Sequence, residues 1–157
     1  MKIVLLQTGK VSENYIAEGS AIFVNRIRKY TPFEVNTLPD IKNTRKMPVE
    51  TQKSKEGERI LQLIASDDYL VILDEKGRER TTTEFSGWLQ QVFMLQKKRI
   101  VFLIGGPWGI SEEVSSRADE SISLSKLTFS HQVVRLLFLE QLYRVLSILR
   151  GDPYHHE

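Results

Sequence analysis

The 157-residue chain contains no cysteine, and that absence removes disulfides, thiolate nucleophiles and thiolate-bound zinc together. Its three histidines have no metal-site spacing, so no metal is expected. No apolar run approaches the ~20 residues of a membrane span, and the stretch from Met1 to Gln7 is too short for a signal peptide. A cytoplasmic protein in a reducing compartment, with no membrane partner, is the expectation. Strong charge of one sign is missing as well: a net charge of +2 announces no nucleic-acid partner. Two glycine signatures are absent, the G-x-G-x-x-G dinucleotide turn and the G-x-x-x-x-G-K-[ST] phosphate cradle.

What is present suits one domain, residues 1–157, with 41% apolar and 27% charged residues, enough to bury a real core. A βα alternation runs along it. Lys2–Gln7 reads as a strand, Tyr15–Tyr30 as a helix and Phe33–Leu38 as a second strand. The polar stretch Pro39–Gln52, with two prolines, reads as a long exposed and disordered loop. Lys55–Ala65 follows as a helix, and Tyr69–Leu73 is an apolar run of the kind covered on both faces of a parallel sheet. Asp74–Gly77 should then turn the chain.

Thr81 and Glu84 match a capping box for a helix to about Gln96. Arg99–Ile104 is another buried strand, Ser111 caps a short helix through Arg117, and Ser121–Leu124 is the last strand. His131–Arg150 closes the fold. The pattern predicts an α/β class, a single mostly parallel sheet with helices on both faces.

The final helix is apolar nearly all round: from Gln132 to Leu149, eleven of eighteen residues are Val, Leu, Ile or Phe. Such a helix must be covered nearly all round. A second copy of the chain in a two-fold dimer is the expected cover, with burial inside one protomer as the rival. Charge is also uneven. Between Asn25 and Lys55 the basic residues Arg26, Arg28, Lys29, Lys42, Arg45, Lys46, Lys53 and Lys55 exceed the acidic ones by five. A solvated helix face with a mobile loop explains this, and so does a phosphate-contacting arm.

Two loops leave buried strands near the carboxyl end: Ile104-Gly105-Gly106-Pro107-Trp108-Gly109 and Leu124-Ser125-Lys126-Leu127-Thr128-Phe129. In an open α/β sheet ligands collect at the carboxyl ends of strands, so two such loops predict one small-molecule pocket. Gly105 and Gly106 allow close backbone approach, and Pro107 fixes the turn. Either loop alone is also an ordinary turn with core anchors. Glu140 and Arg144 stand four apart with the acid first, the spacing of a structural helix pair.

Taken together, Lys55-Glu56-Gly57-Glu58, Leu73-Asp74, Phe102 to Pro107, Leu124 to Phe129, His131, Val134-Arg135, Glu140 to Arg144 and Pro153-Tyr154-His155 resemble the ribosomal RNA large-subunit methyltransferase H family. That family belongs to the SPOUT superfamily, and the resemblance runs the full length. It implies a C-terminal trefoil knot, a homodimer, and transfer of methyl from S-adenosylmethionine to ring nitrogen 3 of a pseudouridine in large-subunit ribosomal RNA. It further implies that Leu73, Gly105 and Leu124, Ser125, Lys126, Leu127, Thr128 and Phe129 contact the cofactor.

Side-chain chemistry and tail placement make His155 a candidate base, Tyr154 an orienting or stacking group, and Arg144 a holder of a phosphate or of the deprotonated base's oxygen. Related tails commonly carry Arg or Lys directly after the Tyr-His pair, where this chain has His156. With little net charge to hold naked RNA, the expected substrate is the assembled ribosome. A non-catalytic ribosome-associated RNA-binding module, needing no cofactor, is the alternative, and a methyltransferase acting on a small metabolite is a third reading.

Overall fold

The computed structural model describes residues 1–156. Five strands, β1 (Lys2–Thr8), β2 (Phe33–Leu38), β3 (Tyr69–Glu79), β4 (Arg99–Ile104) and β5 (Glu120–Ser123), form one sheet in the order β2-β1-β4-β3-β5. Every neighbouring pair is parallel. The helices are α1 (Asn14–Ile27), α2 (Val49–Leu63), α3 (Thr82–Met94), α4 (Glu112–Arg117) and α5 (Val133–Arg150). Among the described residues no helix is long and apolar enough to cross a membrane.

Alternation along the buried strands divides the core in two. Ile3, Leu5, Ile100, Phe102 and Ile122 face α1, α3 and α5, packing with Ile27, Phe85, Leu89, Phe138 and Leu142. Val4, Leu6, Leu70, Ile72, Val101 and Leu103 face the other way, toward Ile60 of α2 and Val114 of α4. The expected two-faced arrangement is what the chain adopts.

The expected turn at Asp74–Gly77 is not a chain reversal. β3 continues to Glu79 through a register shift, and Ile122 of β5 is paired with both Leu73 and Arg78. The intervening residues therefore bulge against β5, so closely that a Cβ on Gly77 would lie 2.7 Å from the Ile122 backbone. A local glycine signal was present, but the long-range pairing that uses it was not visible in composition.

The loop expected through Gln52 ends earlier, because α2 begins at Val49 directly after Pro48. Pro48 supplies the fixed φ tolerated at a helix entrance, Gln52 N donates to the Pro48 carbonyl at 3.1 Å to close the first turn, and the Gln52 side-chain amide donates to the Met47 carbonyl at 2.9 Å. The capping box expected at Thr81 is present: Glu84 N donates to Thr81 Oγ1 at 3.1 Å and Thr81 N to Glu84 Oε2 at 2.7 Å. Helix α5 is covered by the sheet, α1 and α3, so cover within one protomer accounts for much of its apolar surface. Leu137 stays 37% exposed, as do Tyr15 and Ile22 of α1 at 60% and 52%.

Candidate active site

The two loops singled out by their position meet. With the end of β3 and the start of α5 they enclose a cleft of about 380 Å³. Its apolar walls include Leu73, Ile104, Leu124, Leu127 and Val134, and Asp74 and Glu75 add carboxylates at the rim. The volume and the mixture of apolar wall with few polar groups are those of a small-molecule site.

Local hydrogen bonds shape the second loop. Ser123 Oγ donates to the Ser125 carbonyl at 2.9 Å, Leu127 N donates to Ser125 Oγ at 3.0 Å, and Thr128 Oγ1 donates to Glu75 Oε2 at 2.7 Å. The last bond ties this loop to β3 across the cleft mouth. Of the eight residues expected to contact a cofactor, Leu73, Gly105, Leu124, Ser125, Leu127, Thr128 and Phe129 line the cleft. Lys126 does not; its side chain is 85% exposed and its Nζ lies 3.9 Å from Glu79 Oε1.

Behind the glycine loop, outside the lining of the cleft, lies a polar group that sequence reasoning did not connect with the site. Gly106 N donates to Glu56 Oε1 at 3.2 Å, and a Cβ on Gly106 would stand 2.8 Å from Glu56 Oε2. Burial pushes the Glu56 carboxyl up; the Gly106 N–H opposes this and the Asp40 carboxylate adds to it. Nearby, the 1% exposed Arg135 donates to the Thr8 carbonyl. Burial lowers its guanidinium pKa against the pull of Asp40. One signal for Arg135 was available: it is the lone charge in the apolar run Val133–Leu139. Glu56 lies in the Lys55–Glu58 segment that carries the family resemblance, but on a polar helix face nothing in the residue pattern singles out its carboxylate.

The tail forms a second polar group. Gly151 ends α5 in the left-handed conformation at φ 77°, and Asp152 N returns to the Ser147 carbonyl at 2.9 Å. This helix-ending motif folds the last residues back along α5. Tyr154 OH donates to Glu140 Oε1 at 3.2 Å, Arg144 Nε donates to the same oxygen at 2.9 Å, and the Arg144 guanidinium lies 4.6 Å from the Tyr154 ring centre. An Arg144 Nη is 3.4 Å from His155 Nδ1. Burial, with Glu140 beside it, pushes the Tyr154 phenol up; the Glu140 hydrogen bond raises Arg144 further above its ordinary value. The three residues expected to act chemically are therefore brought together, but none lines the cleft of its own chain.

Comparison with known proteins bears on both groups. Residues 1–155 match the family described as Predicted SPOUT methyltransferase. The chain is 50% identical over 157 residues, all of both chains, to "Ribosomal RNA large subunit methyltransferase H" of Parabacteroides distasonis. Proteins of the same name from Phocaeicola vulgatus and Christiangramia forsetii are 43% and 46% identical over 100% and 99% of both chains. The chain belongs to the methyltransferase H family of SPOUT methyltransferases.

Solved structures agree on the fold alone. The tRNA (m1G37) methyltransferase of Aquifex aeolicus superposes with TM-score 0.59 at 17% identity, over 100% of this chain and 76% of that one. A probable methyltransferase of Bordetella pertussis superposes with TM-score 0.52 at 11% identity, over 92% and 96%. Among the described residues, no group of three His, Asp or Glu side chains is placed to hold a metal.

Proposed function

We propose that this SPOUT methyltransferase transfers a methyl group from S-adenosylmethionine to ring nitrogen 3 of a pseudouridine in large-subunit ribosomal RNA, acting on the assembled ribosome. The reading is carried by one observation: the cleft is built from the two loops at the carboxyl ends of β4 and β5, in a chain half identical to a named ribosomal RNA methyltransferase.

The residues present suit the donor. Leu73, Ile104, Leu124, Leu127 and Val134 offer apolar walls to a flat heterocycle, the loops offer backbone amides, and Asp74 and Glu75 suit a ligand carrying positive charge. A Cβ on Gly105 would fall 2.4 Å from Ile110 Cδ1, so glycine there keeps the cleft open. When bound, the donor supplies a methyl group on a positively charged sulfur, open to in-line displacement. The protein's part is then orientation and removal of one proton.

The imide N–H of the target must lose that proton. Arg144, which can only donate, faces His155 Nδ1 at 3.4 Å; in the neutral ring this contact places the proton on Nε2. We infer that substrate draws Arg144 to the developing negative oxygen of the target, freeing Nδ1 of His155 to take the imide proton. Tyr154, anchored on Glu140, gives the base a ring to stack on.

Because the tail lies outside its own cleft, the reaction calls for a homodimer in which one protomer's tail serves its partner's cleft. The exposed Tyr15, Ile22 and Leu137 on α1 and α5 supply apolar surface for such an interface. The C-terminal third is read as knotted on the strength of the SPOUT family match over residues 1–155.

The test is incubation of purified protein with labelled S-adenosylmethionine and ribosomes from a strain lacking the gene, followed by nucleoside analysis. Label in N3-methylpseudouridine is expected. Calorimetry showing no donor binding would favour a non-catalytic ribosome-binding module, and label in a metabolite would favour a small-molecule enzyme.

A further inference from the structure

A second hollow, about 830 Å³ and sharing no residue with the cleft, lies between the C-terminal ends of α1 and α5 and the tail. Three cations line it, Arg26, Lys29 and Arg150, with one carboxylate, Asp152. That carboxylate already accepts the Tyr30 hydroxyl at 2.6 Å. Among the described residues no Asp or Glu oxygen lies within 4.0 Å of Arg26, Lys29 or Arg150, whereas Arg80, Arg99, Arg117 and Arg144 each hold one.

The cations are supported by aromatic faces instead. The Arg26 guanidinium lies 5.4 Å from the Phe23 ring centre and 5.6 Å from that of Tyr143, and Arg150 lies 5.6 Å from Tyr30. Stacking on a ring uses the face of a guanidinium and leaves its N–H groups to donate elsewhere. Three cations around one hollow carry more positive charge than the single carboxylate of Asp152 offsets, so an anion entering it is favoured. Apposing the hollow to a second copy of itself would deepen the repulsion, which argues against a two-fold contact there. A lone phosphate would occupy little of the volume, and Tyr30, Tyr143 and Tyr154 offer surfaces on which sugars and bases pack.

Tyr154 belongs to both regions. Its ring walls the hollow and packs 4.6 Å from the Tyr143 ring centre, while its hydroxyl reaches Glu140 in the Arg144 cluster. An anionic strand in the hollow therefore passes directly beside the tail. We propose that this hollow holds the phosphodiester backbone of the substrate RNA, so that the protomer donating the tail also grips the strand bearing the target nucleotide. The proposal rests on the reading that the chain methylates RNA.

The double variant R26Q/R150Q tests it, on ribosomes lacking the modification. KM for ribosomes should rise on the order of tenfold, and the slope of log affinity against log salt should fall by roughly 1.5, the loss of two phosphate contacts. The kcat at saturation, the calorimetric affinity for S-adenosylmethionine and the sedimentation coefficient should not move, and R26K/R150K should recover most of the KM. A KM and salt slope equal to wild type, or a change confined to oligomeric state, overturns the proposal. Should the wild-type protein itself leave ribosomal RNA unlabelled, the underlying reading fails; if wild type labels and the variant matches it, only the hollow is wrongly assigned.

Discussion

Arg144 donates through Nε at 2.9 Å and through an Nη at 2.5 Å to the same oxygen of Glu140, one turn earlier on α5. As a helix pair this would contribute only a few tenths of a kcal/mol. Here the shared oxygen also accepts Tyr154, so a single carboxylate fixes the arginine, the tyrosine and, through the arginine, the neighbouring His155. Spacing in the sequence identified the pair as structural; the tail folding back onto it makes it also the holder of Tyr154 and His155, the residues proposed to act on the substrate.

Glu140→Gln keeps the shape and removes the charge. Arg144 would lose its charge-assisted partner, and Tyr154 would be left beside a weaker acceptor. Misplacement of reacting groups by about 1 Å costs up to roughly 100-fold in rate, so single-turnover methylation should slow by about 10- to 100-fold. Donor affinity by calorimetry should stay at the wild-type value, because Glu140 does not line the cleft. Full single-turnover rate in this variant would remove the cluster from the chemistry.

Two glycines make opposite predictions from the same geometry. In Gly105→Ala the new methyl would collide with Ile110, whose side chain lines the cleft, so Ile110 must move inward or the loop must shift. Affinity for S-adenosylmethionine should drop on the order of tenfold, or about 1.4 kcal/mol, with little change in melting temperature. Gly87 lies on the exposed side of α3 with no atom within 4 Å of the place a methyl would take, so Gly87→Ala removes only the backbone freedom of glycine in a helix. It should stabilise the protein by about 0.5–1 kcal/mol, a rise of roughly 2–3 °C in thermal unfolding, with unchanged donor binding.

Much of the fold was legible in the order of residues. Buried strands show as continuous apolar runs because both faces of a parallel sheet are covered, and the capping box at Thr81 and Glu84 is a local rule satisfied locally. The two cleft loops were found by position, since ligand sites fall at strand ends. Three things were hidden. The extension of β3 past Asp74 depends on pairing with β5, about fifty residues later. Glu56 reaches Gly106 across a similar distance, and nothing in the pattern of α2 marks that one carboxylate among its charges. Arg26 and Arg150 are 124 positions apart, so the basic stretch read from Asn25 to Lys55 contained only part of the cluster that forms at the helix ends.

Asp68 offers a prediction about stability with its sign fixed by chemistry. Its side chain is fully buried at the start of β3, accepting Arg99 Nε at 2.8 Å, an Arg99 Nη, and Ala65 N at 2.8 Å. Burial alone would raise this carboxyl; the Arg99 hydrogen bonds, the Ala65 N–H and the nearby Arg117 outweigh it and hold Asp68 below the ordinary carboxylate range. A depressed folded-state pKa means that the stabilisation is present above the unfolded pKa of about 3.9 and is lost as pH falls through the folded value. Asp68→Asn should therefore lose roughly 2 kcal/mol at pH 7, a fall of about 4–8 °C in melting temperature. The gap to wild type should narrow once the pH drops below about 4, because the unfolded wild-type chain then takes up the proton first and folded Asp68, with its depressed pKa, surrenders the ion pair only at lower pH. Thermal unfolding of both proteins from pH 7 to pH 3 checks this. A gap that stays constant across that range would mean that the Arg99 contact contributes through packing and neutral hydrogen bonds, with no part played by the charge.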